Sequence, residues 1–167
     1  MNKTRPSGIL IIPDSEALII QEVAEIEERG RLNILPRWAK KAGWLPVTGA
    51  KASEALMIFI EPGLLSIRSW EPDGPRIFET YKQVAQEEEP DLEALRLIQD
   101  RYGKLSIPKD RRPYLGDAAL QHLGLPTTRT ARSNIYVVVS LGRIDLLSPN
   151  YRNTKNIGGH SLLDDLP

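Results

Sequence analysis

The sequence predicts a mostly β fold with short helices (α+β). Two tandem β-β-α-β-β units interlock in one pseudo-symmetric barrel of about eight strands, a size that side chains can fill. Three observations predict it. One phrase occurs twice, as "ERGRLNILPRWAKKAG" at 28–43 and "RYGKLSIPKDRRPYLG" at 101–116. A second phrase follows each copy: "ALMIFIEPGLLSIRSW" (55–70) aligns without gaps on "NIYVVVSLGRIDLLSP" (134–149), Gly63 on Gly142. Recurrence of both phrases in the same order is the mark of an internal duplication. Finally, "LMIFI" and "IYVVV" are continuous runs of β-formers, too apolar for a strand with one wet face. One unit cannot bury them alone, and two units can bury each other's.

The elements follow in chain order. Residues 1–24 form an N-terminal extension, in which "GILIIP" is a candidate extra strand. Unit one spans 25–70. Ile26, Leu32 and Ile34 sit at strand spacing around Arg29-Gly30, a tight turn in which Gly supplies positive φ. Pro36 opens a short helix and Gly43 stops it. "LMIFI", "EPG" and "LLSIRS" make a hairpin. The linker 71–96 holds the turn "PDGP" and a surface helix over "RIFETYKQVAQEEE", broken at Pro90-Asp91. Unit two, 97–149, opens with a hairpin around Tyr102-Gly103, carrying Leu97, Leu105 and Ile107. Asp110 caps a helix that tolerates Pro113 in its first turn. The helix ends at Gly116 or continues to Gly124, and the stripe Leu115, Ala119, Leu123 favours the longer version. "IYVVV", "SLG" and "RIDLLS" close the unit. Residues 150–167 are polar and Gly-rich, and a flexible C-terminal tail is expected there.

The chain of 167 residues is 41% hydrophobic and 26% charged, the balance of a globular protein that builds a core without staples. It has no Cys, which excludes disulfides and Cys-ligated metal. The apolar run at 9–12 stops at Pro13-Asp14, too short for a signal peptide or a membrane span, and a cytoplasmic location is expected. Net charge is zero, which argues against a general polyanion binder. Charge is nevertheless segregated. Residues 29–41 hold five basic residues and no acidic one, 101–112 hold five basic residues against Asp110 alone, and eight acidic residues fall in 71–93. Positive charge thus coincides with the repeated phrase. An ordinary solvated surface is the competing explanation.

"GKLSIPKDRRPYLG" resembles the signature of the AbrB/SpoVT/MazE swapped-hairpin barrel superfamily, and two tandem copies resemble the MraZ family. The resemblance covers about 25–70 and 97–149. The family's D-x-x-x-R pattern reads here as Glu27-x-x-x-Arg31 and Asp100-x-x-x-Lys104, and Leu35 stands where the pattern has Pro. The resemblance implies a swapped-hairpin barrel that binds duplex DNA as a transcriptional regulator and forms homo-oligomers, with rings in MraZ-like proteins. It implies a nucleoid-associated cytoplasmic protein. It directs attention to Arg31 and Lys104 after the glycines, and to Lys40, Lys41, Arg111 and Arg112 in the helices. Arg29, Arg101 and Lys109 lie in the same basic stretches and complete the DNA-binding set. Arg and Lys at a hairpin tip meet phosphates, and Arg also binds guanine bidentately. The alternative is that Arg31 and Lys104 pair with Glu27 and Asp100 across their own hairpins.

Enzyme chemistry finds no footing in the sequence, and no cofactor or metal is expected. His122 reads as a core-edge helix residue. His160 sits near Asp164 and Asp165, a weak metal signal. No phosphate-cradling Gly motif is present. Trp38 and Trp44 read as core or interface packing. The second functional reading is a protein-interaction module, antitoxin-like or an oligomeric scaffold. It would use the barrel and the tail, where Leu162, Leu163 and Leu166 could dock a protein partner.

Overall fold

The computed structural model describes residues 19–45 and 51–151. "GILIIP" and all of the tail beyond Tyr151, including His160, lie outside these residues. The described chain forms seven strands in one curled, half-barrel sheet with four short helices. The strands are β1 (Ile20–Glu27), β2 (Arg31–Leu32), β3 (Ser53–Glu61), β4 (Leu64–Ser69), β5 (Tyr102–Ile107), β6 (Ser133–Ser140) and β7 (Arg143–Leu147). The helices are α1 (Pro36–Ala42), α2 (Asp73–Ala85), α3 (Leu92–Arg101) and α4 (Asp117–His122). Every pairing is antiparallel, in the order β2-β1-β6-β7-β4-β3-β5.

The order is informative. β3–β4 and β6–β7 are the hairpins expected from the second phrase, closed at Gly63 (φ 91°) and Gly142 (φ 89°). They abut through β4 and β7. β1 does not add to the nearer hairpin in sequence but pairs with β6, and β5 pairs with β3. Each half of the chain therefore supplies a strand to the other half's hairpin. The central apolar strands are buried on both faces, as their composition requires. Val137, Val139, Ile144 and Leu146 point into the main core, while Val138 and Leu147 face the other way among Ile19, Leu64, Tyr136 and Tyr151.

In unit one the local chemistry is as expected. Arg29 (φ 66°) and Gly30 (φ 74°) make the turn after β1. Pro36 sits in the first turn of α1, and Gly43 (φ 88°) ends it by donating to the Ala39 carbonyl. Trp38 is fully buried in the core, and Trp44 donates to the Gly142 carbonyl.

Unit two departs in two ways. The hairpin around Gly103 does not form. Residues 92–101 are the helix α3, capped by Asp91 accepting from the Ala94 N–H, and Gly103 lies inside β5. Leu97 is 59% exposed, whereas Leu105 and Ile107 are buried. The Asp91 cap and the run of helix formers outweigh a weak alternation around one Gly. Among the described residues the sheet accordingly has seven strands.

The helix from Asp110 is also absent. Asp110 accepts from the Arg112 N–H, Arg111 turns left-handed (φ 58°), and 111–115 runs extended along β2. Leu32 and Ile34 donate to the carbonyls of Pro113 and Arg111, and Leu115 donates to Gly30. Pro113 lacks an N–H and suits such an edge. Since 111–115 follows β5 at the far edge of the sheet, the chain itself bridges the two edges. Helix forms only at Asp117–His122. The stripe Leu115, Ala119, Leu123 is buried all the same.

α2 and α3 pack on each other outside this sheet. The linker helix begins earlier than the sequence suggests, at Asp73, where Gly74 lies against Trp70. No helix among the described residues is long and apolar enough to cross a membrane.

Candidate functional site

The bridge between the sheet edges gathers charge. Arg29 and Arg31 come from the β1–β2 turn, Arg112 from the extended 111–115 segment, and Arg132 from the strand-entry loop before β6. Together with Glu27, Glu28 and Tyr114 they line an open hollow of about 350 Å³. Backbone bonds hold these pieces in place. Arg29 N–H donates to the Arg129 carbonyl at 2.9 Å, and the 30–34 and 111–115 segments form the ladder described above.

The arginines are partly engaged. Arg112 pairs with Glu27, and this hydrogen bond, reinforced by the carboxylate's charge, pushes the guanidinium further above its ordinary value. Arg132 reaches Glu25 at 3.3 Å and Glu28 at 3.5 Å. A terminal nitrogen of Arg31 donates to the Tyr114 hydroxyl at 2.6 Å, and its guanidinium lies 4.6 Å from the Tyr114 ring centroid. The Nε atoms of Arg31 and Arg112 are buried with no hydrogen-bond partner. Four arginines face two glutamates on the lining, and with Glu25 held by Arg132 one net positive charge remains. Such a hollow can take an anion, since charge-assisted bonds to guanidinium are the strong ones.

Tyr114 also walls a second hollow of about 570 Å³, with Ala52, Ser53, Glu54, Ser106, Ile107 and Pro108. Lys104 pairs with Glu54 there and lies 5.0 Å from the Trp70 ring centroid. The cross-hairpin pairs Glu27–Arg31 and Asp100–Lys104 are thus not the ones formed: Glu27 and Lys104 each bond to another element.

No protein-family model matches this chain, and no curated protein matches it.

The nine basic residues singled out from the sequence do not form one surface. Arg29, Arg31 and Arg112 meet in the first hollow. Arg111 is their chain neighbour, half-buried and engaged in interactions of its own. Lys109 is exposed in the turn after β5, and Arg101 is exposed at the end of α3. Lys40 and Lys41 lie elsewhere. α1 is tied to Glu22 by Arg37 and Trp38, and to the β6–β7 turn through the Ala42 carbonyl and Trp44. Glu22 precedes Glu27 by five residues on β1, about 17 Å at the usual rise of a strand.

Three residues of the hollow escape the sequence reading, Glu28, Arg132 and Tyr114. Arg132 lies in the variable spacer, outside the repeated phrases. Its signal is that 118–144 contains no acidic residue at all. Tyr114 gives no signal beyond its place beside Pro113. His122 is structural: its Nε2 lies 2.9 Å from the Leu64 carbonyl, and its ring meets Phe59 edge-on at 5.1 Å.

Proposed function

We propose that this chain is a DNA-binding transcriptional regulator of the AbrB/MraZ type, built as a tandem swapped-hairpin barrel. The observation that carries the reading is the convergence of Arg29, Arg31, Arg112 and Arg132 on one open hollow from three separate chain segments. Duplex DNA presents phosphates at regular spacing, and arginines on a rigid β framework can meet them. The exchange of β1 and β5 between the two hairpins supports the swapped-hairpin part. So does the register at the centre of the sheet. Ser66 faces Asp145 across β4–β7, and these two are each other's counterparts in the repeat, as a local twofold demands. The protein acts by binding and not as an enzyme, as a homo-oligomer in the cytoplasm associated with the nucleoid.

The test is a salt titration of duplex binding followed by fluorescence anisotropy. Each phosphate contact contributes about 0.9 to the log–log slope, so replacing Arg29, Arg31 and Arg132 by Gln flattens it by about 2–3 units. The pair Lys40→Gln and Lys41→Gln, on another part of the molecule, changes it by less than about one. An unchanged slope in the triple variant, or no duplex binding by the wild type at low salt, overturns the reading.

A further inference from the structure

We propose that the seam at Tyr114 is a binding site for a nucleoside 5′-monophosphate, with the phosphate in the arginine hollow and the base in its neighbour. The inference goes beyond the duplex reading, although the two share the arginine hollow.

Charge comes first. Four arginines and two glutamates line the hollow, and with Glu25, which Arg132 reaches at 3.3 Å, one net positive charge remains. A phosphomonoester carries about −1.5 to −2 at neutral pH and is attracted to such a hollow.

The donors come second. Arg31 and Arg112 each commit a terminal nitrogen, to the Tyr114 hydroxyl and to Glu27, and each keeps a buried Nε–H with no acceptor. Buried donors without partners are costly, and both of these belong to guanidinium groups that line the cationic hollow. Ser53 Oγ, on the wall of the second hollow, is likewise buried without a partner.

The shared wall comes third. Tyr114 is 47% exposed, lines both hollows and carries the Arg31 guanidinium against its ring. A ring backed by a guanidinium is a platform for a planar base. Beyond it, Ala52, Ile107 and Pro108 offer apolar walls. Ser53 and Glu54 offer a hydroxyl and a carboxylate to the polar edge of a base. A volume of about 570 Å³ is within the range of small-molecule sites.

The experiment is calorimetric titration of the full chain with adenosine 5′-monophosphate, adenosine and inorganic phosphate. The monophosphate binds saturably, and adenosine and phosphate each bind at least about tenfold more weakly, because each fills only one hollow. Tyr114→Leu weakens the monophosphate about tenfold and inorganic phosphate by less, since only the monophosphate also loses the ring beneath its base. Arg31→Lys, which keeps the charge and loses the Nε donor, weakens both phosphate-bearing ligands. Circular dichroism establishes that each variant is folded. The proposal is overturned if the monophosphate does not saturate, if it binds no tighter than phosphate, or if Tyr114→Leu leaves it unaffected. A short oligonucleotide bearing a 5′-phosphate separates the two sources of this chemistry. Its binding without that of the free monophosphate overturns the small ligand and gives the hollow to nucleic-acid ends. Duplex binding is scored separately. A protein that binds the monophosphate and no duplex loses only the regulator reading.

Discussion

Glu27 illustrates how a single side chain changes meaning between sequence and structure. Four residues before Arg31, it looks like the acidic half of a local pair, yet its carboxylate bonds Arg112 from the other half of the chain. Gly30 is similarly decided at a distance. It needs positive φ, and a Cβ there would stand 2.8 Å from Cδ1 of the buried Leu120. Gly116 also has positive φ (89°), but a Cβ there would meet nothing within 4 Å. Gly30→Ala bears a left-handed backbone cost of about 1–2 kcal/mol, and Gly116→Ala, at ψ 160° in a region essentially reserved for glycine, bears about 1–3 kcal/mol. Gly30→Ala loses a further ~1–3 kcal/mol for overpacking, and urea unfolding of the two variants measures the difference. Tyr151 supplies a pH prediction. Burial first, and then its hydrogen bond to the Glu61 carboxylate, hold its phenol well above the ordinary value of 10.0. A pKa raised in the folded state gives stability that is full below pH 10.0 and lost as pH rises beyond it. An ultraviolet alkaline titration shows a late tyrosine step that is absent in Tyr151→Phe.

Among the elements, the stretch 92–107 separates local from distant control. Its alternation around Gly103 mimics the first hairpin, but Asp91 and the formers after it make α3, leaving β5 alone to join β3. Leu97→Gln therefore changes stability by no more than about 0.5 kcal/mol, since the side chain is largely exposed. Leu105→Ala costs about 2–5 kcal/mol, because Leu105 is 2% exposed in the core. A large loss at Leu97 in denaturant unfolding would restore the hairpin reading. The segment 108–116 obeys the same logic. Arg111-Arg112-Pro113 resembles a helix start, and the open backbone of β2 captures it as an extended neighbour instead.

For the molecule as a whole, the exchange of strands has a thermodynamic consequence. β1 is completed by β6 and β5 by β3, so neither half possesses a closed set of backbone partners. A fragment 19–96 alone is expected to be unfolded by circular dichroism, and the full chain to unfold in one transition. Independent folding of either fragment would show two autonomous units. Assembly is predicted as well. Trp38 is buried within the chain and so cannot serve an interface. Leu92 and Leu141, at 73% and 83% exposure, remain as apolar surface. Light scattering at micromolar concentration is expected to show an oligomer, and a strict monomer refutes it.

What the sequence determined by itself is the local and the compositional. Gly63 and Gly142 fixed the two hairpin turns, Pro36 and Gly43 bounded α1, and "IYVVV" announced a strand buried on both faces. Each of these depends on residues within a few positions of one another, where steric limits and hydrophobic burial act the same in any fold. The basic phrases were legible too, and Arg29, Arg31 and Arg112 did come together. The rest depended on tertiary structure. Which hairpin β1 joins, where 111–115 lies, and that Arg132 and Tyr114 complete the hollow all rest on backbone bonds between segments about 80 to 120 residues apart. Such bonds are chemically alike at every position of a strand. Their choice is made by the burial of the whole sheet, a quantity that no short stretch of sequence carries.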